Sequence, residues 1–169
     1  MKMEYRRLTS NDLDAYFEIR LRALQNSPSA FLVSHAEQVK EGRDFFAKTL
    51  DDQGDNAVIF GALVDRKVIA TLGIFREQRQ KIAHKSVIWG MYVEEEFRKQ
   101  GTASKLLELA IDFAKTRMQT KCIFLSAEAK NESALALYKS HGFKSWGQEP
   151  MAMFADGQFF EEVHLSLIF

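Results

Sequence analysis

Apolar and polar positions alternate at two spacings along this chain, and the switches between them mark out the elements. MEYRRL reads as a short opening strand. Thr9, Ser10 and Asn11 then offer cap oxygens to a helix carrying Leu13, Phe17, Leu21 and Leu24 at helical spacing. That helix should end at Asn26-Ser27-Pro28, because the residue before a proline is pushed out of the helical region. A second helix is expected over residues 35–50, with Phe45 and Phe46 facing inward, followed by a turn at DDQGDN.

The middle of the chain changes period. AVIFGALV and VIATLGIF, joined by DRK, predict a hairpin of two apolar strands, and KSVIWGMYV, apolar on both faces, predicts a central strand. Ala103, Leu106, Leu107, Ala110, Phe113, Ala114 and Met118 then form the apolar stripe of a helix whose wet face carries Lys105, Glu108, Asp112 and Lys115. CIFLS is the next strand. NESALALYKSHGF is a helix capped by Asn131 and closed by Gly142, and short strands are expected near residues 144–147 and 158–167. The order predicts an α/β (α+β) fold in a single domain over residues 1–169. Its mixed central sheet has about six or seven strands flanked by about four helices.

Composition narrows the function. The 23 basic and 23 acidic residues cancel, so nothing draws the whole chain to nucleic acid or anionic lipid, and any anion site has to be local. No apolar run approaches the ~20 residues of a membrane span, and MKMEYRRLTSNDLDAY has no signal-peptide core, so the cytoplasm is the expected compartment. The single cysteine, Cys122, excludes an internal disulfide and a cysteine-based zinc cluster, and no metal centre is expected. Cys122 lies in an apolar strand and reads as core packing.

The chemistry is concentrated in FRKQGTASKLL. A helix opening near Gly101 leaves about four backbone N–H groups without partners, at the positive end of the helix dipole. Phosphate is a natural guest there. Gly101 and Ala103 keep side chains out of the way, Arg98 and Lys99 can add charge, and Thr102 or Ser104 can add a hydroxyl. The spacing is not that of a Walker loop or a dinucleotide fingerprint. Taken alone, the stretch is equally a solvated basic turn capping a surface helix.

RKQGTA fits Arg/Gln-x-x-Gly-x-Gly/Ala after a long strand, and N-x-x-A-x-x-L-Y-x-x-x-G-F follows from Asn131 to Phe143. This ordered set, spanning residues 57–143, resembles the GCN5-related N-acetyltransferases, the GNAT superfamily. The resemblance implies acetyl-CoA as co-substrate, its pyrophosphate held by Arg98, Lys99, Gln100, Gly101, Thr102, Ala103 and Ser104. It implies main-chain pairing of the pantetheine arm with Met91 and Val93, beside a bulge at Gly90, and a cofactor contact from Asn131 in addition to its capping role. It also implies that Tyr138 protonates the departing thiolate. Transfer to a primary amine of a small molecule or a peptide N-terminus would be direct, with no covalent acyl-enzyme. Glu37, Glu77 and His84 are open alternatives for the base. The acceptor groove would come from residues 16–31, 35–46 and 154–160, which bring Tyr16, Phe17, Phe31, Phe154 and Phe159 together with Glu18, Glu37 and Glu161. Glu94-Glu95-Glu96 reads as a solvated charged loop rather than a cation trap. A non-catalytic acetyl-CoA sensor is the alternative function, and the late strands with their aromatics permit a homodimer.

Overall fold

The structure, a computed structural model, describes residues 2–51 and 54–169. The expected hairpin is present: β2 (Ala57–Val64) and β3 (Lys67–Arg76) are joined by Asp65 and Arg66, both at positive φ (49° and 68°), the two-residue turn that suits strand twist. β1 (Met3–Arg7) adds to one side, and β4 (Lys85–Val93), β5 (Cys122–Glu128), β7 (Gln158–Ile168) and β6 (Lys144–Ala155) follow on the other. The seven strands run in the order β1-β2-β3-β4-β5-β7-β6, antiparallel throughout except for the parallel pair β4–β5.

Two cores cover the sheet, one on each face. On the first, α4 (Thr102–Thr116) packs Leu106, Leu107, Ala110 and Ala114 onto β2, β3 and β4, and the same cluster continues across Ile123, Leu125, Phe143 and Leu165. α5 (Glu132–Ser140) joins this face through Tyr138. On the second, α1 (Leu13–Asn26) and α3 (Asp44–Asp51) pack against Ile59, Leu63, Val68 and Tyr92, and no residue of that cluster lies beyond Tyr92 in the chain. The bridging core therefore lies on one face only. No helix among the described residues is long and apolar enough to cross a membrane.

Several expectations are corrected. The helix expected over residues 35–50 is broken by Gly42 (φ +75°) into α2 (His35–Glu41) and α3, since the left-handed region ends a helix. Phe46 is buried, but Phe45 is exposed, as neighbouring residues on a helix must point about 100° apart. The buried stripe of α1 is Tyr16, Ile19, Arg20, Ala23 and Leu24, with Leu13, Phe17 and Leu21 half-buried at its edge. β6 runs well past the four residues expected, because Pro150 is tolerated on an edge strand that also carries a register shift between Glu149 and Met153. Of the turn at DDQGDN, Asp52 and Gln53 lie outside the described residues.

Candidate active site

A bulge in β4 shapes the site. Between the pairs Thr71↔Tyr92 and Gly73↔Trp89 the strand carries one residue more than β3, and Gly90 takes up the extra length at φ +64°. The buried hydroxyl of Thr71 donates to Gly90 C=O at 3.3 Å and pins the bulge. Bending β4 here parts it from β5. Their ladder consists of Lys85↔Cys122, Ser86↔Ile123 and Val87↔Phe124, after which the strands diverge. The gap is the mouth of a cleft of about 480 Å³.

At one end of the cleft lies the loop into α4. A 3-10 turn at Glu95–Phe97 leads to Lys99 (φ +59°) and Gly101 (φ +80°), left-handed positions that reverse the chain before the helix begins. The first helical bond runs from Lys105 N–H to Gly101 C=O at 3.0 Å, so Thr102, Ala103 and Ser104 have N–H groups without a backbone acceptor among the described residues. A Cβ on Gly101 would meet nothing within 4 Å, so the loop faces open space. Three donors on the positive end of a fifteen-residue helix suit a diphosphate.

Each proposed cradle residue can be placed. Lys99, Gly101, Thr102, Ala103 and Ser104 line the cleft. Arg98 lines it too, with its Nε donating to Val93 C=O at 2.9 Å and its guanidinium 5.7 Å from the Tyr92 ring centroid. Gln100 is the exception: its side chain turns back to donate to Glu96 C=O at 2.9 Å, and it is not part of the wall. The Thr102 hydroxyl is buried behind the loop, 3.4 Å from Phe97 C=O, leaving its main chain to the cleft. His141 Nδ1 lies 2.9 Å from Leu137 C=O, and its Nε2 lies 2.9 Å from the Ser104 hydroxyl.

Met91, Val93, Asn131 and Tyr138 line the middle of the cleft. Asn131 Oδ1 accepts from Ala134 N–H at 3.2 Å, the expected cap. The Tyr138 phenol donates to the Met91 sulfur at 3.5 Å and its ring meets Phe143 edge-on, while burial pushes its pKa up to about 12. Cys122 is outside the wall, in the core, where burial raises its thiol pKa against the opposing charge of Lys85.

None of the three expected bases lies in the cleft wall. Glu37 caps α2 instead, accepting from Ser34 N–H at 2.8 Å, and this hydrogen bond lowers its pKa. Glu128, at the end of β5, does line the cleft, and Ser29 Oγ donates to it at 3.5 Å. From the expected acceptor side, Ser27, Ala30 and Phe31 reach the wall. Tyr16 belongs to the core, and Phe154 and Phe159 pair with each other on the exposed hairpin. Glu94 is no solvated loop residue: Arg22 Nε donates to it at 2.7 Å, tying α1 to the end of β4. Beyond the cleft, Glu149, Glu162 and His164 bring ligand-type atoms within 4.8 Å of one another, a grouping the spacing did not reveal.

The site thus combines a split parallel pair, a left-handed loop opening a helix and a buried phenol across the gap. The acetyltransferase (GNAT) family model matches residues 14–143, and the chain belongs to that family and to its enzyme class. The chain is 30% identical over 135 residues to an N-alpha-acetyltransferase of Saccharolobus solfataricus, covering 79% of this chain and 75% of that protein. A GNAT-family acetyltransferase from Streptococcus pneumoniae shares the fold at a TM-score of 0.84 and 19% identity, over 99% of this chain and 100% of that one. So does the yncA protein of Salmonella typhimurium, solved with its cofactor acetyl-CoA, at 0.83 and 18%, over 99% and 94%.

Proposed function

We propose that this chain transfers the acetyl group of acetyl-CoA directly to a primary amine of a small molecule or peptide. The observation that carries the reading is the cleft itself, which has unpartnered first-turn amides at one end and the Tyr138 phenol beside the β4 bulge.

The amides of Thr102, Ala103 and Ser104 hold the diphosphate, with Lys99 and Arg98 adding charge from the rim. Main-chain groups of Met91 and Val93, which the divergence of β4 and β5 turns to the cleft, take the pantetheine arm as an added strand. When bound, the co-substrate supplies a thioester carbonyl and a thiolate leaving group. Glu128 accepts the proton of the incoming ammonium, directly or through a water. N–H groups at the Gly90–Met91 bulge stabilise charge on the carbonyl oxygen. As the new N–C bond forms and the C–S bond breaks, Tyr138 donates to sulfur. Cys122 is buried and away from the wall, so no side-chain nucleophile is invoked.

The test is a thiol-release screen against amino acids, polyamines, aminoglycosides and short peptides, run beside thermal melts. Acetyl-CoA at ~100 times its dissociation constant should add about 2.7 kcal/mol of stability. Release with at least one amine class is expected. Stabilisation without release across the panel would make the protein a sensor, and stabilisation by ATP alone would refute the coenzyme site.

A further inference from the structure

Ser104, in the first turn of α4, is held from another helix. Its hydroxyl lies 2.9 Å from Nε2 of His141, the residue just past the end of α5. Ser104 lines the cleft and His141 does not, so the imidazole meets anything bound there only through the serine. The ring is largely enclosed, its side chain 15% exposed. Its other nitrogen, Nδ1, lies 2.9 Å from Leu137 C=O and 3.1 Å from the Ser140 hydroxyl, which itself donates to Leu137 C=O at 2.7 Å. The second hydroxyl of the turn, on Thr102, is buried behind the loop. Ser104 is therefore the side-chain donor that this turn can offer to the cleft.

A hydroxyl has one proton to give, and the imidazole decides where it goes. A neutral ring protonated at Nδ1 satisfies Leu137 C=O, but its bare Nε2 takes the Ser104 proton and leaves only lone pairs for the cleft. A neutral ring protonated at Nε2 frees the serine, but sets a bare Nδ1 against the carbonyl oxygen at 2.9 Å, lone pair to lone pair. Only the imidazolium donates at both ends and leaves the Ser104 proton for an anion. It also adds positive charge beside the amides of Thr102, Ala103 and Ser104. The charged group paired with the ring is Glu108 of α4, with Oε1 4.0 Å from Nε2; it is half-exposed and shared with Lys105 at 3.3 Å. Leu137 and Ser140 of α5 present neutral groups, and Lys139 of α5 and Lys144 of β6 are exposed.

We propose that His141 is a positioning residue of the coenzyme site: the diphosphate binds with proton uptake at His141, whose Nε2–H then turns the Ser104 hydroxyl onto a phosphate oxygen. This rests on the coenzyme site of the acetyl-transfer reading above. Linkage sets the sign. A ligand that binds the imidazolium better than the neutral ring also holds the proton on the ring. Coenzyme affinity is therefore highest in mild acid and falls as pH rises through the range in which histidines titrate. The effect belongs to the diphosphate, so substrate and product coenzyme share it.

The probe is 3′-dephospho-coenzyme A, which keeps the diphosphate and lacks the terminal phosphate that itself titrates near pH ~6. Calorimetry from about pH 5.5 to 8.5, in two buffers of different ionisation enthalpy, reads its affinity and the protons taken up. The wild type should bind roughly ten-fold more weakly at the alkaline end, with uptake peaking at about half a proton near neutrality. His141→Gln, whose amide cannot gain a proton, should abolish both the slope and the uptake. Ser104→Ala should remove most of each, and with the wild-type uptake it carries the test even where His141→Gln does not fold. A flat wild-type profile without uptake, or uptake that survives His141→Gln, would overturn the proposal. So would a loss of affinity in His141→Gln that is the same at every pH, the mark of a merely structural support. Coenzyme binding without uptake sinks this inference alone, whereas proton-coupled binding with no thiol released to any amine sinks the transfer reading alone. Failure of the probe to bind at any pH would remove the diphosphate site and both readings with it.

Discussion

Tyr138 places its proton against sulfur in the resting protein, 3.5 Å from Met91, which is the kind of atom a departing thiolate presents. Its pKa, raised by burial to about 12, keeps the phenol neutral at every pH where the enzyme can be assayed. Tyr138→Phe keeps the ring packed on Phe143 and removes only the donor. It should leave acetyl-CoA stabilisation intact and slow turnover by roughly 10²-fold or more. The pH–rate profile should drop without changing shape between about pH 6 and 10, since a group titrating near 12 cannot set a limb there. Unchanged turnover would remove Tyr138 from the reaction. Asp12 makes a contrasting case. Arg6 donates to both of its oxygens, at 2.7 and 2.8 Å, and Thr9 N–H adds a third bond, so its pKa is lowered chiefly by Arg6, against desolvation. A depressed carboxylate stabilises the fold above its unfolded-state pKa of ~4 and loses that contribution as pH falls through the folded value. Asp12→Asn should therefore cost about 1–3 kcal/mol at pH 7, and the gap to wild type in urea titrations should shrink toward pH 3. Tyr138 and Asn131 were legible because local motifs carry them. Glu128 was not, since its place in the wall beside Ser29 depends on a partner from another element.

Strands were easier to read from the chain than the helices of the first half. The β2–β3 hairpin follows from two apolar runs and a short turn, and α4 from an unbroken stripe that opens at a glycine loop. The split of α2 from α3 hung on one residue, Gly42, whose left-handed backbone outweighs the helical pattern on both sides. The bulge shows how an element can depend on a contact between strands. Gly73 lies opposite Trp89, and a Cβ there would run into the indole ring. That ring in turn stacks on Phe46 at 6.3 Å and faces Arg20. Gly73→Ala must displace Trp89, and should destabilise the fold by about 1–3 kcal/mol in urea unfolding. It should also weaken acceptor binding more than coenzyme binding, because the displaced ring belongs to the α1 side. A neutral effect on both would show that Trp89 can move freely.

Across the whole molecule, the sheet is continuous in topology and interrupted in hydrogen bonding. Beyond Val87 and Phe124, nothing in the ladder ties β4 to β5. Acetyl-CoA bound in the gap should slow amide exchange of Thr102, Ala103 and Ser104 and of the cleft-facing amides within residues 88–93 by at least about tenfold, with the β2–β3 hairpin unaffected. Exchange that is indifferent to the coenzyme would argue against the site. Gly90 inside an apolar strand announced the bulge, whereas the hydroxyl of Thr71 that pins it and the departure of β5 come from other strands and could not be read locally.

The one-sided core gives that interruption a direction. With α4 and α5 spanning the gap on one face and, among the described residues, no buried apolar cluster spanning it on the other, where residues 28–30 meet β5 and β6 and Ser29 Oγ donates to Glu128, the opening left for the amine lies on that second face. An amine entering there would scarcely disturb the amides that hold the diphosphate. The enzyme could exchange one reactant without letting go of the other.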